Sequence, residues 1–149
     1  MKKLRVKWLL VIAWMIIIFV FSNQPAVVSD GSSQTIVKIF KALGLNLNSV
    51  FGDLADFAVR KSAHFLEYLT FSLLIYNACR DTYSVSRSIL IAVGLVFCYA
   101  GTDEIHQLFV PGRTGRFRDV MIDTSGGATA MLIVYLHHLK KSFSLHKEN

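Results

Sequence analysis

Apolar residues in this chain come in blocks, and the charged residues gather between them. The first block runs from about Trp8 to Ser22, behind the basic start Met1-Lys2-Lys3-Leu4-Arg5-Val6-Lys7. A second helical stretch starts near Asp53, a plausible N-cap, and reaches Ala78, with its inner part from Thr70 onward free of charge. A third runs from Ser88 to about Leu108 and a fourth from Asp119 to Leu139. The pattern predicts an all-α polytopic membrane protein: four transmembrane helices, at about 8–22, 61–79, 88–108 and 119–139, in an antiparallel bundle. The uncharged runs are shorter than the roughly 20 residues needed to cross a bilayer. The charged helix ends must therefore enter the bilayer or a water-filled vestibule. Between the first two spans, Ile36, Ile39, Phe40 and Leu43 recur at helical spacing, with Lys38 and Lys41 opposite. This predicts a short helix over 32–43, capped by Ser32 or Ser33 and stopped by Gly44. It either lies in the interface or packs on its own bundle.

Composition narrows this picture. At 149 residues, 53% hydrophobic and mean hydropathy +0.46, residues 1–149 read as a single compact unit without internal repeats. The N-terminus has the basic and apolar regions of a signal peptide, but Asn23-Gln24-Pro25-Ala26 is a poor cleavage site, so a retained anchor is expected. The net charge of +6 does not imply nucleic acid, because the bases sit at segment ends rather than along one amphipathic stripe. Cys79 and Cys98 lie inside apolar runs and read as small hydrophobes without a disulfide. Nine basic residues fall on the side of the termini and seven on the other, where acidic residues accompany them. That balance places both termini in the cytoplasm and the polar helix ends outside.

Those ends carry the candidate chemistry. On a helical wheel at about 100° per residue, Lys61, His64 and Tyr68 form one polar stripe, with Arg60 and Glu67 along its edge. Tyr99, Asp103, His106 and Gln107 share a face of the third span, with Glu104 somewhat off it. Asp119 and Asp123 are i,i+4 neighbours, and Gly126, Gly127 and Ala130 extend their stripe. Three polar faces at one depth favour a shared pocket, since each would otherwise face lipid. The small residues would let the fourth helix approach a neighbour closely. The connecting turn Pro111-Gly112-Arg113-Thr114-Gly115-Arg116 closes two antiparallel helices, and its arginines suit bidentate contact with an anionic group.

The order Lys61-x-x-His64-x-x-x-Tyr68, Asp103-Glu104-x-His106-Gln107-x-Phe109-x-Pro111-Gly112-Arg113 and Asp119-x-x-x-Asp123-x-x-Gly126 resembles the VanZ-like family, over about residues 8–139. The resemblance implies a small multi-pass protein of the bacterial cell membrane. Members of that family include the accessory protein linked to resistance against teicoplanin-type glycopeptides, and others are domains of larger proteins. It brings no agreed catalytic mechanism and names no cofactor.

Three classes of chemistry suit the residues. His64 and His106 read as hydrogen-bonded packing, as a base beside Asp103, Glu104, Asp119 and Asp123, or as metal ligands together with Asp103, Asp119 and Asp123, although no HExxH or paired-Cys pattern is present. Asp119 and Asp123 read equally as salt-bridge partners of Arg113, Arg116 or Lys61. Lys61, Tyr68, Gln107, Arg113 and Arg116 are the candidate ligand-binding residues. The partners expected are the lipid bilayer and either a lipid-linked envelope precursor or a lipoglycopeptide, whose acyl tail and polar body would match an apolar bundle with a wet mouth. One alternative is a membrane-embedded hydrolase or transferase acting on a lipid-linked or phosphate-bearing substrate, though no serine or cysteine sits in a recognisable nucleophile frame. An ion or proton pathway ranks last, because the inner halves of the spans lack charge.

Overall fold

The computed structural model describes residues 2–147, and their side chains over 4–144. Met1, Glu148 and Asn149 lie outside it, as do the side chains of Lys2, Lys3 and Lys147 that entered the count of flanking charges. The described residues form helices and connecting turns: α1 (Lys2–Ser22), α2 (Ala26–Ala42), α3 (Leu47–Phe51), a 3-10 turn (Gly52–Leu54), α4 (Ala55–Cys79), α5 (Val85–Gln107) and α6 (Phe117–Lys147).

α1 is apolar around its whole circumference. Val11, Ile18 and Ser22 are buried, whereas Leu9, Ile12, Ile16 and Phe19 are exposed. Its inward side packs mainly on α4, where Trp14 Nε1 donates to the Glu67 carbonyl at 3.0 Å. At the other end Lys7 Nζ reaches the Asn77 carbonyl at 3.0 Å and the Asp81 carboxylate at 2.6 Å. The Lys7 hydrogen bond holds the exposed Asp81 carboxyl below its ordinary range.

α2 begins before the expected Ser32 or Ser33 cap. Pro25, with φ −53°, stands at the cap position, and its fixed φ suits a helix start. Ser32 and Ser33 lie inside the helix and donate back to the Val28 and Ser29 carbonyls at 3.0 and 3.1 Å. Gly44, at φ +86°, follows the last turn as expected. The helix packs against α4 through its buried Ser33 and Val37. Asp53 does not cap α4. It sits in the 3-10 turn, and Leu54 occupies the cap position without a side-chain cap bond.

α4, α5 and α6 form the core. Tyr68, Phe71, Ile75 and Ala78 of α4 meet Ala92, Val96 and Ala100 of α5 and Val120, Ala130 and Met131 of α6. On α5 the buried positions Ser88, Ala92, Val96, Ala100 and Glu104 recur every fourth residue, joined by Asp103 and Gln107. The stripe that is apolar at its centre therefore turns acidic at one end. α4 and α6 approach with backbone in direct contact: a Cβ added at Gly126 would stand 2.2 Å from the Phe65 carbonyl oxygen. At Gly127 it would stand 2.9 Å from a Val96 methyl. The small-residue stripe of α6 is thus a close-packing surface.

Among the described residues, two helices are long and apolar enough to cross a membrane, over Leu4–Ser22 and Val85–Gln107. α4 and α6 have the length, but both carry charge in their first turns.

Candidate functional site

The acidic end of the core is closed by pairs running between helices. Lys61 Nζ of α4 lies 2.8 Å from Asp119 Oδ2 of α6, and Arg118 Nε stands 3.8 Å from the other oxygen of that carboxylate. One turn deeper, His64 Nδ1 stands 3.5 Å from Asp123 Oδ1. The 61/64 spacing on α4 and the 119/123 spacing on α6 put these two contacts on one seam, which the Gly126–Phe65 approach holds shut. Asp123 is only 1% exposed, and neither of its carboxylate oxygens accepts a hydrogen bond from the described protein atoms. A buried carboxylate of this kind normally has partners or water.

α5 supplies the third side. Gln107 Nε2 donates to Asp103 Oδ2 at 3.1 Å, one turn away on the same helix. Glu104 lies fully on the buried face rather than off it, and its Oε2 accepts the Arg116 backbone N–H at 2.8 Å. The chain around that bond is tight. A Cβ at Gly115 would stand 2.3 Å from the Glu104 carbonyl oxygen, so only glycine fits there without displacing the loop. The 108–116 loop is also tied to the start of α2, because the Ala26 N–H donates to the Pro111 carbonyl at 3.2 Å and Arg113 Nε to the Gln24 carbonyl at 3.1 Å. Burial, together with the neighbouring Arg60, holds the Arg113 guanidinium below its ordinary range. Arg60 in turn pairs with Asp30 of α2.

Two cavities open on this cluster. One, of about 260 Å³, lies between α1, α2 and α4 and is walled by Ser22, Gln24, Ser29, Ser33, Arg60, His64, Glu67, Asp103 and Arg113, with Ile18, Phe21, Ile36, Val59 and Ala63. The other, of about 220 Å³, lies under the loop and is walled by Arg60, Lys61, Gln107, Arg113, Thr114, Arg116, Arg118, Asp30 and Asp119, with Phe57 beside them. The Phe57 ring faces Lys61 Nζ at 5.7 Å and the Arg118 guanidinium at 5.4 Å.

Of the residues singled out in the sequence, Lys61, His64, Asp103, Glu104, Gln107, Asp119, Asp123, Arg113 and Arg116 come to this one end of the bundle. His106 does not join them. Its Nε2 lies 3.2 Å from Asn23 Oδ1, and its ring packs 4.7 Å from Phe19, so it belongs to the α1–α5 contact. Tyr68 is fully buried below the cavities, edge-on to Phe71, and lines neither. Tyr99 donates its hydroxyl to the Met15 carbonyl at 2.7 Å. Among the described residues no three His, Cys, Asp or Glu side chains converge as metal ligands: Asp119 faces Lys61, Asp123 faces His64, and His106 faces α1. The serines of α1 and α2, with Asp30 and Gln24, were not foreseen as walls. Pro25, just ahead of α2, was the signal that would have placed them on a helix.

No curated protein and no solved structure matches the chain. Residues 7–138 match the VanZ/LLP1 family, and the chain belongs to that family.

Proposed function

We propose that this is a multi-pass protein of the bacterial cell membrane, with α1, α4, α5 and α6 as spans, both termini cytoplasmic and the charged end of the bundle facing outward. α4 and α6 measure about 37 and 46 Å at 1.5 Å per residue, enough to cross. Lys61 and His64 of α4 face Asp119 and Asp123 of α6 across the seam rather than lipid, and Arg60 faces Asp30 of α2. The exposed apolar surface of α1 is larger than a soluble monomer tolerates. α2, lying beside the outward mouth, is the interfacial helix.

The outward pocket binds an envelope ligand, either a lipid-linked precursor or a lipoglycopeptide, and thereby contributes to envelope function or to tolerance of teicoplanin-type compounds. The observation that carries this is the buried acid, histidine and lysine cluster opening into two cavities under an arginine-bearing loop. Expression in a susceptible bacterium should raise tolerance to teicoplanin more than to vancomycin; equal, unchanged susceptibility would remove that role. Thr114→Cys should react with an impermeant reagent in intact cells, and protection there would reverse the topology.

A second reading, a hydrolase or transferase acting on a lipid-linked or phosphate-bearing substrate, is favoured by one contact. The buried Asp123 stands where it can orient His64, and His64 lines the larger cavity, an arrangement suited to a general base. Asp123→Asn should then abolish turnover at normal membrane abundance; retained turnover removes the dyad.

A further inference from the structure

The two cavities at the charged end are parts of a longer track. Ile36, Val59 and Ala63 wall the 260 Å³ cavity on one side and a third, almost wholly apolar groove on the other. That groove, of about 360 Å³, runs between α2 and α4 over Phe40, Phe51 and Leu66, which are themselves exposed. At the opposite end, Arg60 and Arg113 wall both that cavity and the one under the loop. The loop cavity sets five cations (Arg60, Lys61, Arg113, Arg116 and Arg118) against two carboxylates, Asp30 and Asp119. Among the described residues no carboxylate pairs with Arg113, whose Nε bonds only a carbonyl. The track therefore runs from apolar to mixed to cationic along α4.

We propose that this track holds one molecule of a single-chain or prenyl-type lipid phosphate, its hydrocarbon in the α2–α4 groove and its phosphate on Arg60 and Arg113. The chemistry at each end recognises one half of that molecule. Guanidinium groups bind phosphate oxygens through charge-assisted, bidentate hydrogen bonds. An apolar groove open to the side takes the chain, each buried methylene contributing about 0.8 kcal/mol. The inference rests on the outward pocket being a ligand site and adds the class of ligand and the place of its tail.

Native mass spectrometry of the detergent-purified full chain can count adducts of three probes: hexadecyl phosphate, hexadecanol and inorganic phosphate. Hexadecyl phosphate should bind one-to-one and at least about tenfold tighter than inorganic phosphate, since two buried methylenes already supply that factor, and about tenfold tighter than hexadecanol, the scale of the charge-assisted bonds its phosphate adds. Ala58→Trp, at a position that walls the apolar groove and neither of the other two cavities, should weaken hexadecyl phosphate and leave inorganic phosphate unchanged. Arg60→Gln with Arg113→Gln should weaken both phosphates by about tenfold or more, the scale of lost charge-assisted bonds. If the glutamine variant is poorly folded, Arg113→Lys serves in its place, retaining charge but losing the bidentate contact. Inorganic phosphate binding as tightly as hexadecyl phosphate, or Ala58→Trp without effect on the lipid, overturns the track while leaving an anion pocket. Failure of all three probes to bind at one site overturns the track and the pocket together.

Discussion

Replacing Gly126 with alanine adds one methyl group at the point where α4 and α6 touch. The new Cβ would stand 2.2 Å from the Phe65 carbonyl oxygen, 3.0 Å from its carbonyl carbon and 3.2 Å from its Cα. All three are backbone atoms, so no side chain can rotate away and the helices must separate by about 1 Å to restore ordinary contact at roughly 3.5 Å. Overpacking of this kind costs about 1–3 kcal/mol, and a backbone conflict belongs at the upper end. Alanine regains about 1 kcal/mol of helix propensity, leaving a net loss near 2 kcal/mol. For a chain of this size that lowers Tm by about 4–8 °C. Gly101→Ala and Gly94→Ala supply the internal control. Both lie on α5 with nothing within 4 Å of the added atom, so each should melt with or slightly above the parent. Gly127→Ala is intermediate, because its neighbour is the Val96 side chain, and Val96→Ala should relieve it, with a coupling of about 1 kcal/mol. Thermal unfolding of the detergent-purified proteins orders the series. If Gly126→Ala melts with Gly101→Ala, the helices are not in backbone contact and the seam assigned to the site is wrong.

The other expectations concern the pairs that close the bundle. Lys61→Met alone, or Asp119→Leu alone, strands a mostly buried charge and should cost about 3–5 kcal/mol, whereas the double variant should recover most of that loss; additive losses in the double-mutant cycle would mean the pair is not coupled. Trp14→Phe removes the indole donor from the Glu67 carbonyl and should destabilise by about 1 kcal/mol, read from the unfolding midpoint, and no change would show that bond to be idle. The Asp81 carboxyl is lowered by Lys7, so the stability it confers is complete above its ordinary value and is lost as pH falls through the lowered one. Asp81→Asn should therefore narrow the stability difference between neutral and strongly acidic pH, and an identical acid profile would contradict the linkage.

Periodicity found Lys61 and His64 on α4, the Asp119/Asp123 pair and the small residues beyond it, because each lies on an arc narrow enough to face one neighbour, whereas Tyr68 on the same stripe lies deeper, in the core. It misjudged α5 for a geometric reason. Asp103, Glu104, His106 and Gln107 span most of one turn, and two neighbours divide that turn between them. The loop ahead of α6 takes Glu104 through Arg116, while Phe19 of α1 and Asn23 just beyond it take His106. A wheel gives angles on one helix but not the angle at which the next helix arrives. The start of α2 was lost differently. Ser29 and Asp30 fall ahead of the helix expected over 32–43, yet both lie inside α2 and line the cavities, while Ser32 and Ser33, expected as caps, bond back within the helix. Only tertiary placement distinguishes those two uses of serine.

The two helices that are too polar to pass as independent spans are the two that pair with each other. A charged residue at the centre of a lone transmembrane helix costs about 2.5–3.5 kcal/mol, and α4 and α6 each carry several near one end. Lys61 with Asp119 and His64 with Asp123 answer one helix's charges with the other's, and they do so only at the separation that Gly126 permits. The glycine stripe and the ionisable residues are therefore one device. Close approach makes the buried charges tolerable, and the charges fix the register in which the helices approach. A site built this way requires both helices at once, so its pocket exists only in the assembled bundle, and small residues far from any ligand set the geometry of the residues that would touch it.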